Sequence, residues 1–376
     1  MAVVTGREVV IEAPERVEVR EAPAERSLAP GEARVRSVVV GICGSDVHAY
    51  RGVHPFIDLP IVPGHEVAGV VEEIGPDVRD VTPGTRVLLE ANVVDGTCRY
   101  CRAGVYNQCA HLLVVGCQMP GAMADRFVVP AEKLVRIPDD VSDDDAAVVE
   151  PLSSATHAIR LAGGVDGKRV AVLGTGTIGL LTVAAAKASG AAVLSTTDLI
   201  AENRARAVAT GAVAALDPLA GSQAEVADAI RDTLGERPDV TFDCVAVQAT
   251  VDLGVELAQR GGTVIVLGVP TDRRSVALPL VQDREITIQG SAMYVRRDVE
   301  RALDIVRSGG VETRHLITGR FPIDAARQAF EAAASTEHVK VYVYTDGPNS
   351  DTAGSNEGDA TSDASRDNSA RASGSS

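Results

Sequence analysis

Cys98, Cys101 and Cys109 lie in one loop, VVDGTCRYCRAGVYNQC, and their spacing is typical of metal or redox chemistry. A closed structural zinc site takes four protein ligands, whereas this loop offers three thiols. Three interpretations are open: a metal site with an unusual fourth ligand, a redox pair with a spare thiol, and a loop that no longer binds metal. The redox pair is the least favoured, because thioredoxin-type pairs open a helix after a strand and this pair lies in a loop.

A second set of side chains that can bind metal is spread over three segments. Cys43 lies in GICGSDVHAY, His65 and Glu66 lie in PGHEVAG, and Glu150 lies in VVEPLSS. A catalytic zinc takes three protein ligands and keeps a fourth position open. Sequence separation alone does not bring these side chains together. On residue types alone, a buried thiol and a hydrogen-bonded histidine are therefore the default interpretation.

The segment GTGTIG at 174–179 has the spacing of a dinucleotide-binding turn. It follows the buried-strand run VAVLG, it opens a helical stretch, and Asp198 ends the next strand nineteen residues after Gly179. In such a unit Gly174 makes the tight turn, Gly176 lets the backbone approach a pyrophosphate, and Gly179 packs the helix on the strand. The free amides of the helix N-terminus then face the phosphates.

The acid at the second strand indicates which dinucleotide binds. Asp198 would accept hydrogen bonds from the ribose hydroxyls and repel a 2′-phosphate, which favours NAD over NADP. Arg204 is close enough in sequence to touch the adenine or a 2′-phosphate. The predicted cofactor contacts are Gly174, Gly176, Thr177, Ile178, Gly179, Asp198, Leu267, Gly268 and Val269.

The surrounding segments change character between residues 155 and 165. Before this point the chain has short β-type runs, such as ARVRSVVVGI, EVAGVVEEIG and TRVLLEANVV, separated by turn signals. After it, strands alternate with helices, which predicts a doubly wound parallel sheet. A helix, DVERALDIVRSG, and a last strand, VKVYVYTD, follow. Residues 347–376 contain no Leu, Ile, Val or aromatic residue, so we expect a disordered acidic tail there.

The composition argues against several classes of function. The chain of 376 residues has 36 basic and 52 acidic side chains, and its net charge of −16 argues against a nucleic-acid partner. No apolar run reaches the roughly 18 residues of a membrane helix, and the charged N-terminus lacks the apolar core of an export signal. Six cysteines in a chain of this length do not make a disulfide scaffold, so we expect a reducing cytoplasm. The acid excess, with only four lysines, is typical of a salt-loving source.

In their order along the chain, GICGSDVHAY, PGHEVAGVVEEIG, the cysteine loop, EPLSSATHA and GTGTIG resemble the motifs of the medium-chain zinc-dependent dehydrogenases, and above all their polyol branch. The resemblance covers about residues 30–345. It implies an α/β protein whose GroES-like, β-rich catalytic domain, 1–155 completed by 294–346, receives an inserted Rossmann domain at 156–293. It also implies a small-molecule alcohol substrate and assembly as a homodimer or homotetramer.

The resemblance implies a role for each residue of the second metal-binding set. Cys43 and His65 bind a catalytic zinc ion, and Glu66 or Glu150 completes the site. Zinc lowers the pKa of the alcohol, and a hydride passes to C4 of the nicotinamide of NAD. Ser45 and His48 resemble the family's proton relay. The predicted catalytic residues are thus Ser45, His48, Glu66 and Glu150, and the predicted substrate contacts are Tyr50 and Tyr294.

The family pattern C-x2-C-x2-C-x7-C also bears on the cysteine loop. It places its first cysteine three residues before Cys98, where this chain has Asp95. The resemblance implies a structural zinc ion held by Asp95, Cys98, Cys101 and Cys109, with an oxygen ligand that weakens the affinity. The alternative is a metal-free lobe held together by hydrogen bonds.

One departure from the polyol pattern concerns the substrate. The family's Arg-Tyr pair at the start of the returning segment is Met293 and Tyr294 here. The loss of the arginine removes a charged hydrogen-bond donor to a hydroxyl group or water. This difference argues against sorbitol itself as the substrate. We expect oxidation of a secondary alcohol, such as a polyol or sugar, to the ketone. Threonine, butanediol and glucose-type dehydrogenases are alternatives. A zinc-free quinone or enoyl reductase is disfavoured, because both zinc motifs are intact.

Overall fold

The computed structural model describes residues 6–345. The predicted tail at 347–376 lies outside the described residues. Within 6–345 the strands form two large sheets and two small two-stranded sheets. No helix of this region is long and apolar enough to cross a bilayer.

The strands and helices follow in chain order. The strands are β1 (Arg7–Ala13), β2 (Arg16–Glu21), β3 (Glu32–Ile42), β4 (Glu66–Ile74), β5 (Arg86–Leu89), β6 (Asn92–Val93), β7 (Leu113–Val114), β8 (Arg126–Pro130), β9 (Leu134–Arg136), β10 (Arg169–Leu173), β11 (Val193–Thr197), β12 (Ala214–Leu216), β13 (Val240–Asp243), β14 (Thr263–Val266), β15 (Thr287–Gly290), β16 (Ile317–Pro322) and β17 (Lys340–Tyr344). The helices are α1 (Gly44–Tyr50), α2 (Arg99–Arg102), α3 (Asp143–Leu161), α4 (Thr177–Ala188), α5 (Ala201–Thr210), α6 (Gln223–Leu234), α7 (Gln248–Leu257), α8 (Leu278–Arg284), α9 (Arg296–Arg307), α10 (Thr313–Leu316) and α11 (Ala326–Ala333).

The first large sheet is mixed. Its order in the described region is β16-β17-β3-β4-β5-β9, and β8 also pairs with β3. The apolar run in ARVRSVVVGI accounts for β3, which is buried over most of its length. Strand β17 returns from the far end of the chain and pairs antiparallel with β3. The C-terminal segment therefore lies beside the strand that leads to Cys43.

The second large sheet is parallel throughout and has the order β12-β11-β10-β13-β14-β15. Continuous apolar runs, as in β10, are typical of strands that helices cover on both faces. The strand order reverses between β10 and β13. In doubly wound sheets ligands bind at this reversal, outside the carboxyl ends of the strands. The predicted doubly wound parallel sheet is confirmed.

The long helix α3 joins the two sheets. The Ser142 hydroxyl caps its first turn by accepting a hydrogen bond from the Asp145 amide, and aspartates in that turn favour the positive end of the helix dipole. The helix packs against β3, β4 and β5 of the first sheet and against α4 and α9. Its buried middle carries Glu150 into the interior.

Candidate active site

Two neighbouring strands bring the first candidate ligands together. Cys43 follows β3 directly and caps the N-terminus of α1. His65 directly precedes β4, whose first residue is Glu66, and Glu66 lies opposite Gly41 in the antiparallel register. A Cβ atom at Gly41 would lie 2.2 Å from Glu66 Oε2. Glycine at 41 therefore makes room for the Glu66 carboxylate.

The geometry of this cluster fits a zinc ion. Ligand atoms of Cys43, His65 and Glu66 lie within 4.8 Å of one another. In the described structure, buried His65 Nδ1 has no hydrogen-bond partner, and neither has Asp46 Oδ1, 3.9 Å away. Unsatisfied buried polar atoms cost about 1–3 kcal/mol each. Thiolate, imidazole and carboxylate are the ligands that zinc takes, so these three residues would hold the ion.

A buried lysine that the sequence analysis did not single out neutralises Glu66. The Lys340 ammonium group donates to both carboxylate oxygens, at 2.8 and 2.6 Å, and to the carbonyl oxygen of Ile42 at 3.0 Å. Both side chains are almost completely buried. One feature of the sequence indicates that Lys340 is buried: it is one of only four lysines, and it begins an apolar strand.

Glu150 reaches the same region from α3. It lies outside the group of three whose ligand atoms meet, and its Oε1 accepts a hydrogen bond of 2.6 Å from the Tyr294 hydroxyl. Burial, together with the charge of Glu66, raises the pKa of Glu150 to about 7, against the opposing attraction of His65. The structure thus places Glu66 with Cys43 and His65, and Glu150 beside them.

The predicted relay residues lie on α1. Ser45 and His48 are three residues apart, so they share one face of the helix, and both are half-buried. Burial, and to a lesser degree the charge of Arg51, lowers the pKa of His48. Its imidazole is therefore neutral near pH 7 and able to accept a proton. Their role as a relay stays a prediction.

The two tyrosines predicted to contact substrate are both buried. The Tyr50 ring packs against Phe330, with 5.6 Å between the ring centroids. The Tyr294 hydroxyl donates to Glu150 and accepts a hydrogen bond from the Ala91 amide. Direct contacts of Tyr50 and Tyr294 with substrate stay predictions.

A second thiol near this cluster, that of Cys117, has no catalytic or metal-binding role predicted from the sequence. Cys117 is buried, and its thiol interacts electrostatically with His65. Burial raises the pKa of the Cys117 thiol, so this side chain is a neutral neighbour of the site. No spacing in the sequence connects it with Cys43 or His65.

The glycine-rich turn lies at the carboxyl end of β10. Gly174 has a φ of +82°, and a Cβ atom there would lie 2.2 Å from Val245. A Cβ atom at Gly179 would lie 1.9 Å from the Gly174 carbonyl oxygen, whereas one at Gly176 would enter open space. The turn therefore needs glycine on its packed side and leaves room for a phosphate on the other. Thr177 and Ile178 begin α4 directly behind this space.

Other predicted cofactor contacts lie after the carboxyl ends of neighbouring strands of the same parallel sheet. Asp198, after β11, accepts hydrogen bonds from the amides of Thr175 and Ile200, at 2.7 and 2.8 Å. The Arg204 guanidinium donates to the carbonyl oxygens of Asp198 and Leu199, so backbone contacts hold it in place. After β14, the amides of Leu267 and Gly268 donate to the Asp243 carbonyl oxygen, and Val269 is exposed. These residues fit a dinucleotide.

The cysteine loop forms a second, separate cluster. Its thiol sulfurs lie 3.6 Å apart for Cys98 and Cys101 and 3.9 Å apart for Cys98 and Cys109. Together with Asp95, their ligand atoms lie within 4.8 Å of one another. Amides of Ala110 and Cys101 lower the pKa of Cys98 to about 7, whereas burial and the neighbouring thiols raise the pKa of Cys101 to about 12. Cys98 is therefore the thiol that most readily becomes the thiolate that binds metal. This cluster fits a second zinc ion.

Asp95 is fixed from two sides. Its Oδ1 accepts hydrogen bonds from the amides of Thr97 and Cys98, and its Oδ2 lies 2.7 Å from His111 Nδ1. The hydrogen bond with His111, followed by that from the Cys98 amide, lowers the pKa of Asp95. The carboxylate is therefore ionised and oriented. From the sequence alone His111 is expected to have a structural role, although it lies only two residues after Cys109.

We expect Asp95→Ala to reduce the zinc content from about two ions per chain to about one. The cysteine loop then keeps only three thiolates, whereas a closed structural site takes four protein ligands. Elemental analysis of purified, dialysed protein measures this content. Asp80→Ala, which removes an exposed carboxylate, is the matched control. A zinc content that is the same in Asp95→Ala and the parent would contradict the assignment of Asp95.

Comparisons with known proteins point to a zinc-binding dehydrogenase. Residues 29–139 match the model of the alcohol dehydrogenase GroES-like domain, and residues 177–308 match that of the zinc-binding dehydrogenases. Sorbitol dehydrogenase of Ovis aries is 34% identical over 322 residues, which are 84% of this chain and 90% of that protein. L-idonate 5-dehydrogenase of Vitis vinifera is 35% identical over 317 residues, which are 82% and 86% of the two chains.

A zinc-binding dehydrogenase of Sinorhizobium meliloti, solved with NADP, superposes with a TM-score of 0.84 at 33% identity and covers 91% of this chain and 100% of its own. The GroES-like part and the Rossmann-type sheet predicted from the motifs are thereby confirmed. The zinc-type cluster and the glycine-rich turn are consistent with these similarities. The chain belongs to the medium-chain, zinc-dependent alcohol dehydrogenase family.

Proposed function

We propose that this enzyme oxidises a secondary hydroxyl group of a polyol or sugar acid to a ketone and transfers the hydride to NAD⁺. The observation that carries the proposal is the meeting of Cys43, His65 and Glu66 within 4.8 Å of one another. The polyol and sugar-acid class is supported by the sorbitol and idonate dehydrogenases among the relatives. A bound zinc ion supplies a Lewis acid that makes the alcohol more acidic.

The side chains of the site have distinct tasks in this proposal. Lys340 holds Glu66 in place and balances its charge. His48, neutral near pH 7, accepts the hydroxyl proton by way of Ser45 and passes it to water. Glu150, beside the cluster, orients the hydroxyl group of the substrate. The crevice above Gly176 receives the pyrophosphate of the dinucleotide.

NAD is the proposed cofactor because Asp198 directly follows β11, where the acid of a dinucleotide-binding unit holds the adenosine ribose, and its charge would repel a 2′-phosphate. We expect Asp198→Ala to raise KM for NAD⁺ about 10- to 100-fold, because hydrogen bonds to a charged group contribute about 1.5–3 kcal/mol. Initial rates with NAD⁺ and NADP⁺ measure the change. Asp232→Ala, on the exposed face of α6, is the control. A stronger preference for NAD⁺ in Asp198→Ala would contradict the proposal.

We also propose that the predicted site residues have the roles given above and that the chain divides into a catalytic part and a cofactor part. The catalytic part is 1–155 with 294–346, and the cofactor part is 156–293. We also propose a homodimer or homotetramer that works in the cytoplasm. Strand β15 supports the assembly, because it ends the parallel sheet and leaves Ile288 partly exposed, and open sheet edges favour pairing with another chain.

A substrate screen tests the function. Zinc-loaded protein is mixed with NAD⁺ in concentrated salt, and NADH formation is followed with sorbitol, other polyols, sugar acids, threonine, butanediol and aldoses. The highest kcat/KM is expected for a polyol or sugar acid. A preference for threonine or butanediol would replace the proposed substrate class. Absence of NADH with every secondary alcohol tested would exclude the dehydrogenase activity.

A further inference from the structure

The cysteine lobe, defined as residues 95–109, contacts the segment 292–296 directly. The Tyr106 hydroxyl donates to Glu90 Oε1 at 2.8 Å and accepts a hydrogen bond from the Arg296 amide. The Arg296 guanidinium donates to the other oxygen of Glu90 at 2.6 Å. Glu90 is only 1% exposed. Tyr106 and Arg296 are therefore joined through one buried carboxylate.

A second contact lies one residue further along the lobe. The Asn107 side chain donates to the carbonyl oxygen of Ala292 at 3.1 Å. Tyr106 and Asn107 thus bind both ends of the segment 292–296. Both residues belong to the short turn that directly precedes Cys109, so a metal ion bound by the thiols would fix this turn.

The segment between these contacts is strained. Met293 has a φ of +54°, a left-handed conformation that residues other than glycine, asparagine, aspartate and histidine rarely adopt. Such a conformation persists only where surrounding contacts determine it. The hydrogen bonds from the lobe to Ala292 and Arg296 are contacts of this kind, because they lie on either side of Met293.

The residue after Met293 reaches the active site. Tyr294 is fully buried, its carbonyl oxygen accepts a hydrogen bond of 2.7 Å from the Asn92 side chain, and its hydroxyl donates to Glu150 Oε1 at 2.6 Å. A change in the backbone at Met293 would therefore move the hydroxyl away from Glu150.

We propose that the cysteine lobe positions Glu150: Tyr106 and Asn107 hold segment 292–296 in its strained form, and this form places the Tyr294 hydroxyl on Glu150. Tyr106, Asn107 and Tyr294 are positioning residues, since they act on the substrate site through Glu150. A metal ion held by Asp95, Cys98, Cys101 and Cys109 would fix the lobe and so support this positioning from outside the catalytic cluster. The kinetic part of this inference rests on the proposed function.

The experiment compares Tyr106→Phe, Tyr294→Phe and the double variant in the full-length, zinc-loaded protein. Tyr294→Phe is expected to lower kcat/KM about 10- to 100-fold, the effect of a misplaced catalytic group. Tyr106→Phe is expected to lower it several-fold. The double variant should match Tyr294→Phe within about twofold, because residues in one network are not additive. Tyr100→Phe is the control, since among residues 6–345 the hydroxyl of Tyr100 bonds to its exposed neighbour Arg99 and to no residue of segment 292–296.

Amide hydrogen exchange gives a readout that needs no turnover. Peptides spanning 88–93 and 291–297 should exchange faster in Tyr106→Phe and in Asp95→Ala than in the parent or in Tyr100→Phe. Unchanged exchange in both variants overturns the proposal. The proposal is also overturned if the loss of kcat/KM in the double variant equals the product of the losses in the two single variants, as expected for independent residues. If the parent enzyme shows no dehydrogenase activity, the exchange data still decide the positioning role, and only the proposed function fails.

Discussion

His65→Ala is expected to abolish nearly all activity and to remove about one zinc ion per chain. Lewis-acid stabilisation by a bound metal contributes several kcal/mol to the transition state. Each 1.36 kcal/mol is a factor of ten, so kcat/KM should fall on the order of 10³-fold or more. Initial rates and elemental analysis on the same preparation measure both effects. The buried position of His65, beside Cys43 and Glu66, leaves no neighbouring imidazole in the described cluster to replace it.

A matched histidine distinguishes loss of the site from a general effect of mutation. His315 is half-exposed and pairs with Glu312 on the surface, so His315→Ala should retain both zinc ions and the parent activity. Cys43→Ser should reproduce the loss seen in His65→Ala, because it removes a different ligand of the same ion. Near-parent activity of His65→Ala with its zinc lost would show that the reaction does not use this site.

Lys340→Met is expected to lower the free energy of unfolding by about 3–5 kcal/mol, the usual cost of leaving one partner of a buried ion pair alone. Lys340 and Glu66 are both almost completely buried, and the ammonium group holds both carboxylate oxygens. Activity should fall too, since the Glu66 carboxylate would lose its position next to His65. Urea unfolding of the parent and the variant measures the change in free energy.

Two further variants sharpen this test. Lys187→Met, which removes an exposed lysine, should change the free energy of unfolding by no more than about 0.5 kcal/mol. In metal-free protein, Lys340→Met combined with Glu66→Gln should recover much of the lost stability, because no uncompensated charge stays buried. If the double variant is as unstable as Lys340→Met alone, the loss arises from packing and the ion pair is not its cause.

Periodicity and local spacing were sufficient for much of the fold. The strand runs at β10, β11, β13 and β14, which alternate with helical stretches, predict the parallel sheet. Strands covered by helices on both faces are typically rich in apolar residues, and this makes them recognisable in the sequence. GTGTIG predicts the turn at Gly174, since the observed φ of +82° requires glycine. The resemblance to the family's cysteine pattern pointed to Asp95, and its carboxylate lies within 4.8 Å of the three thiols. Its role as a zinc ligand stays a prediction.

Contacts between distant segments could not be predicted in this way. Lys340 and Glu66 are 274 residues apart, and they meet only because β17 returns to pair with β3. The register between β3 and β4 includes shifts near Arg34 and Ser37, so spacing alone does not place Gly41 opposite Glu66. The burial of Tyr294 likewise depends on segments far apart in the chain, which is why its sequence position indicated a substrate contact and not a bond to Glu150.

Zinc titration of the metal-free enzyme tests the central claim most directly. Protein stripped by a chelator is reloaded in steps, and NADH formation with the best substrate of the screen is measured at each step. We predict no turnover in the stripped protein and a rise to full activity on reloading, in the parent but not in His65→Ala. Full turnover by the metal-free parent, or equal reactivation of His65→Ala, would contradict a zinc-dependent site at Cys43, His65 and Glu66.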